Sequence, residues 1–189
     1  MKRQNALEIV DELIGTPNIK KHCLAAEAVM LGIWDYLDGQ GKGDLGQRED
    51  WGVVGLLHDA DYEVTGKDLD KHTKVIEEKL KNLGEDQKII DAILAHAEKA
   101  PKETLMSKAI FACDELTGLI IAATLVLPDR RLSSLGVDSI EKRFREPAFA
   151  RAVDRESIKT CQTDLEIPLV KFFGIALSSM QKISGDLGL

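Results

Sequence analysis

A chain of 189 residues with 44% hydrophobic and 30% charged content holds enough apolar surface for one compact domain with a true core, which excludes disorder and a disulfide-stapled miniprotein. The formal net charge of −7, from 32 acidic against 25 basic side chains, argues against nucleic-acid binding through a broad basic face, while a small anionic substrate stays compatible with cations gathered locally. Cys23, Cys113 and Cys161 lie far apart without CxxC spacing; they suggest neither a disulfide framework nor a zinc ribbon, and a reducing cytoplasm is the expected compartment.

Apolar residues recur at helical spacing almost throughout, so an all-α architecture is predicted. Met1 to Asn5 leads into charged helical sequence rather than a secretory leader. A first helix is expected over residues 5–14, stopped by Gly15-Thr16-Pro17, and a second over residues 18–37. Residues 38–47 hold four glycines and read as a flexible loop. Helical sequence resumes at Arg48 and reaches His58-Asp59. Further helices are expected over residues 68–83, closed by Gly84 in a left-handed cap, and over residues 85–100, ending before Pro101. Residues 102–127 read as the long central helix, stopped by Pro128. Its apolar run, residues 119–127, is too short to span a bilayer and reads as buried. Residues 130–189 carry two or three more helices, one starting near Asp154 and one after Pro168. No repeat, low-complexity tract or long linker divides the chain, so residues 1–189 are expected to form a single domain.

The chain has four histidines, and three of them can be tested against helical periodicity. His22 shares a face with Ala26, Val29 and Ile33; His72 with Leu69, Ile76 and Leu83; His96 with Ile89, Ile93 and Ala100. Asp114 aligns with Ile110, Thr117 and Ile121 in the most apolar helix, where an unpaired carboxylate is expensive and a cation would remove that cost. His58-Asp59 closes the apolar stretch Val53-Val54-Gly55-Leu56-Leu57, so an imidazole and a carboxylate stand side by side at a helix end. A lone histidine on an apolar stripe is ordinarily a core residue bonded to a carbonyl; a set of them with aspartates on separate helices suits Fe, Mn, Zn, Co or Ni held inside a bundle. Cys23 and Cys113, beside two of these residues but turned about 100° around the helix, read as core packing.

The order His22, then His58-Asp59, then Asp114 resembles the H...HD...D signature of the HD superfamily of metal-dependent phosphohydrolases, whose fold is a helical bundle. His72 and His96 match the two further histidines of members that hold two metals. The resemblance covers roughly residues 19–126, and residues 130–189 look like a helical extension of a subfamily. Two features depart from the common pattern: Ala60-Asp61-Tyr62-Glu63 follows the HD pair where many members have Ile-Gly-Lys, and His96 stands in His-Ala-Glu rather than in a double histidine.

The resemblance implies one or two divalent transition metals held by His22, His58, Asp59, His72, His96 and Asp114, with Asp59 bridging. It implies hydrolysis of a small phosphorylated molecule, such as a nucleotide, by metal-activated water. Asp61, Tyr62 and Glu63 are candidate supporting or proton-transfer groups, with Asp61 taken as catalytic beside Asp59. Of the candidate phosphate contacts Lys20, Lys21, Lys67, Lys71, Arg130 and Arg131, only Lys67 and Lys71 lie close in sequence to the expected mouth. Two other readings stay open: a di-iron oxygenase using the same ligand set, and a non-catalytic signalling module, against which the retention of every ligand type counts.

Overall fold

The computed structural model describes all 189 residues, and every regular element in it is helical. Helix α1 (Arg3–Leu13) ends at the Gly15-Thr16-Pro17 break, and α2 (Pro17–Gly39) starts on the proline itself. Proline suits that position because its fixed φ is helical and its missing N–H would have no partner there. The glycine-rich segment after α2 is held in place: the Trp34 indole donates to the carbonyl of Gly46 at 3.3 Å and the Trp51 indole to that of Leu45 at 2.8 Å. The expected flexible loop is therefore tied at two points.

Helix α3 (Arg48–Leu57) has seven consecutive buried residues, Trp51 to Leu57, as a helix enclosed on all sides must. It packs on α1, α2 and α5 (Gln87–His96). Where it crosses α2, a Cβ on Gly55 would lie 2.6 Å from the backbone of Glu27. Only a glycine allows the two backbones this approach, and the approach brings the end of α3 against the start of α2.

Helix α4 (Lys74–Asn82) begins six residues later than its periodicity predicts. Residues 67–73 form turns, with Lys67 and Thr73 at positive φ. The cause is tertiary: the buried Asp61 carboxylate accepts from the backbone N–H groups of Thr73, Val75 and Ile76, so the helix start is capped from elsewhere in the chain rather than by a local residue. At the other end Gly84 takes φ +72° and Glu85 N–H donates to Leu80 O, the left-handed termination that glycine favours.

Helix α6 (Leu105–Leu125) is central, in contact with α2, α5 and the C-terminal helices α7 (Val137–Phe144), α8 (Arg155–Asp164) and α9 (Leu169–Lys182). It starts three residues later than expected because Thr104 and Ser107 form a reciprocal capping box. Its C-terminal end emerges into solvent: Leu125 is 47% and the capping Val126 55% exposed, while Ala123 and Thr124 stay buried.

The C-terminal helices, expected as an extension, share the core with the rest. Phe172, Phe173 and Met180 belong to the same apolar cluster as Ile33 and Leu116, α9 lies on α2, and a Cβ on Gly32 would collide with the Ser179 hydroxyl at 2.0 Å. The Arg155 guanidinium donates to the carbonyls of Phe144, Glu146, Phe149, Ala150 and Val153, organising the turn between α7 and α8. A short helix α10 (Ser184–Leu187) ends the chain. No helix is long and apolar enough to cross a membrane.

Candidate metal centre

Six side chains from five parts of the chain converge. His22 projects from the second turn of α2, His58 caps the C-terminus of α3, Asp59 follows it, His72 stands in the turn before α4, His96 is the last residue of α5, and Asp114 lies mid-way along α6. The helical face expected for His72 does not exist; the Asp61-held turn positions it instead.

The six divide into two groups around one carboxylate. On the Asp59 Oδ2 side, His22 Nε2 is 2.9 Å from Asp114 Oδ1, 3.1 Å from His58 Nε2 and 3.5 Å from Oδ2 itself. His58 Nε2 stands 3.4 Å from Asp114 Oδ1 and 3.8 Å from Asp59 Oδ2. On the Oδ1 side, His72 Nε2 is 3.0 Å from His96 Nε2 and 3.2 Å from Oδ1, and His96 Nε2 is 3.6 Å from Oδ1.

Each imidazole turns its other nitrogen to an acceptor. His58 Nδ1–H donates to Gly55 O at 2.8 Å, His72 Nδ1–H to Asp61 Oδ1 at 2.8 Å, and His96 Nδ1–H to Ile93 O. His22 Nδ1 meets the Thr117 hydroxyl at 3.0 Å, and because that hydroxyl gives its proton to Asp114 O it must accept from His22. With Nδ1 the donor in all four rings, every Nε2 is left to point at another Nε2 or at a carboxylate. Such crowding of acceptors calls for a cation.

The spacing suits a metal ion as well as the chemistry does. For bonds of about 2.1 Å, neighbouring donors sit about 3.0 Å apart at a right angle and about 3.4 Å apart at a tetrahedral one, close to most of the separations above. His22, His58 and Asp59 form one group able to hold an ion, and Asp59, His72 and His96 form a second. Nitrogen and carboxylate donors without thiolate fit iron, manganese, zinc, cobalt or nickel.

Protons compete for the same positions. Burial works against the charged form of His22, but the hydrogen bond to Asp114 and the charges of Asp114 and Asp59 outweigh it, raising its pKa to about 9. His72 is likewise raised to about 9, burial being overcome by Asp59 and Asp61. Burial also opposes ionisation of Asp59 and Asp114, yet the surrounding imidazoles hold both far below the ordinary carboxylate range.

The cluster opens into a cleft of about 450 Å³ lined also by Tyr62, Leu69, Ala97, Glu98, Glu115 and Gly118. No lysine or arginine lines it. Lys67 and Lys71, expected as phosphate contacts, stand outside: both are exposed and Lys71 pairs with Asp68 at 3.1 Å. Lys20 is paired with Asp11, while Lys21 and the two arginines Arg130 and Arg131 line other grooves. Asp61, expected as catalytic, is fully buried, and both its oxygens are taken by His72 and by the first backbone N–H groups of α4. It positions His72 and does not reach the cleft. Glu63 accepts from the backbone N–H groups of Gly15 and Thr16, and Tyr62 packs edge-on against His72 at 5.4 Å. Cys23 and Cys113 are buried free thiols, raised by burial out of the reactive range.

Thr117, Glu98, Glu115 and Gly118 escaped the sequence reading as parts of the site. Thr117 and Gly118 follow Asp114 at the i+3 and i+4 helical spacing, which is the one signal available for them.

The HD domain family matches residues 19–119, just over half of the chain. The chain belongs to the HD-domain superfamily, whose members are in general metal-dependent phosphohydrolases. Comparison with curated proteins and with solved structures yields no match.

Proposed function

We propose that this protein hydrolyses phosphate esters of small molecules using two divalent metal ions. The observation that carries the reading is Asp59, whose two carboxylate oxygens face separate groups of histidines at the floor of a solvent-open cleft. His22, His58, Asp59 and Asp114 would hold one ion, and Asp59, His72 and His96 the other. When bound, such ions supply Lewis acidity toward phosphoryl oxygens and acidify water to near neutrality.

The chain's own residues supply orientation. Gly55 O, Ile93 O, Asp61 and Thr117 each hold an Nδ1 proton, which keeps every Nε2 free to coordinate and fixes each ring. The buried walls keep bulk water from one side of the cluster, so charges inside it act with little screening. The lining offers a substrate phosphate no lysine or arginine, so neutralising its charge would fall to metal held by the cluster.

The test is Asp59→Ala, followed by elemental analysis and a panel of phosphate esters with the metal of the wild type restored. Loss of at least one equivalent of metal together with loss of phosphate release is expected; full activity with metal retained would refute the role of Asp59. One observation favours a second reading: a cleft without cationic residues suits an uncharged organic substrate oxidised by a di-iron centre in the same ligand set. Anaerobic purification with iron analysis separates the two, since oxygen uptake with an organic substrate marks an oxygenase and phosphate release a hydrolase.

A further inference from the structure

We infer that Gly118 is a specificity-determining residue: it keeps open the space beside Asp114 in which the organic part of a monophosphorylated, uncharged or cationic small molecule sits. This rests on the phosphoesterase reading above.

Gly118 lies in the interior of α6, where glycine is less favourable than alanine by about 1 kcal/mol. Close packing explains Gly32 and Gly55, two other glycines inside helices of this fold. A Cβ on Gly55 would meet the Glu27 backbone at 2.6 Å and one on Gly32 the Ser179 hydroxyl at 2.0 Å, whereas a Cβ on Gly118 would meet nothing within 4 Å. The space it leaves belongs to the cleft, for Gly118 is one of the lining residues and stands one helical turn beyond Asp114, on the same face. A side chain there would project over the Asp114 side of the cluster.

The remaining lining defines what fills that space. Tyr62, Leu69 and Ala97 offer apolar surface, Glu98 and Glu115 offer carboxylates, and no lysine or arginine is present. With one phosphate at the cluster, a second phosphate, as in a nucleoside triphosphate, would lie among these carboxylates without a lysine or arginine to neutralise it. An alcohol or amine would meet acceptors for its donors.

The experiment compares wild type with Gly118→Ala and Gly118→Leu, each loaded with the wild-type metal, on O-phosphoethanolamine, a nucleoside monophosphate and a nucleoside triphosphate. Metal content and Tm are measured alongside. Wild type should prefer the monophosphates over the triphosphate. Gly118→Leu should lower the kcat/KM ratio of the bulky to the small monophosphate at least about tenfold, with Gly118→Ala intermediate, metal content unchanged and Tm no lower. An unchanged ratio, a preference for the triphosphate, or loss of metal or stability in the leucine variant would each overturn the inference while leaving the phosphoesterase reading intact. If wild type hydrolyses none of the esters and the metal-loaded protein binds no orthophosphate, the phosphoesterase reading falls and this inference with it.

Discussion

Replacing Gly55 with alanine tests whether one helix crossing positions the metal cluster. The added Cβ would stand 2.6 Å from the backbone of Glu27, against about 3.4 Å for ordinary contact, so α2 and α3 must part locally by about 0.8 Å. The obstacle is backbone, which cannot rotate away as a side-chain tip can. Overpacking of this kind costs about 1–3 kcal/mol, a fall in Tm of several degrees. His58 follows three residues later and donates its Nδ1 proton to Gly55 O, while its Nε2 lies 3.1 Å from that of His22 on α2. Parting the helices therefore opens the His22–His58 pair by several times the about 0.2 Å that a metal–ligand bond tolerates. Affinity for one ion should fall about 10–100-fold, while the His72–His96 group, carried by other elements, changes less. Thermal melts of the metal-free protein and a competitive metal titration read the two effects. Wild-type melting and wild-type affinity together would refute the reasoning.

Asp61→Asn should weaken metal binding at the His72–His96 group about 10–100-fold, because the amide cannot accept from His72 and from three backbone N–H groups together; hydrogen exchange at Thr73, Val75 and Ile76 should rise with it. In the metal-free protein, His22 and His72 have pKa values near 9 against 6.5 when unfolded, so the stability they contribute is full below pH 6.5 and is lost as pH rises through about 9. Metal must displace those protons, so its affinity should rise with pH over the same window, by up to about tenfold per unit for each proton released; a flat affinity between pH 7 and 9 would remove His22 and His72 from the ligand set. Arg155→Met should destabilise the fold by about 2–3 kcal/mol, since five carbonyls lose a charged donor, and urea unfolding measures it.

Much of this protein is legible along the chain because its signals are local. The Gly15-Thr16-Pro17 break, the left-handed Gly84 and the apolar stripe of α6 act through backbone geometry within a few residues, and the helices fall close to where those signals put them. Three of the six polar residues are visible as anomalies for the same reason: periodicity alone shows that His22, His96 and Asp114 face inward, whereas His72 stands in turns and has no helical stripe. Long-range contacts decided the rest. Asp61 reads along the chain as a free carboxylate beside a metal pair, but folding brings it under the start of α4, where it delays a predicted helix by six residues and turns His72 toward Asp59. Lys67 and Lys71 are near the site in sequence and outside the cleft in space, because the turns that carry His72 inward leave them exposed to solvent. Gly55 and Gly118 are the same residue type in helices of similar apolar character, yet one permits contact between backbones and the other leaves room for a ligand. Sequence periodicity specifies which way a residue faces along its own helix; what stands opposite that face depends on how the helices cross, and that is decided by packing across the whole chain.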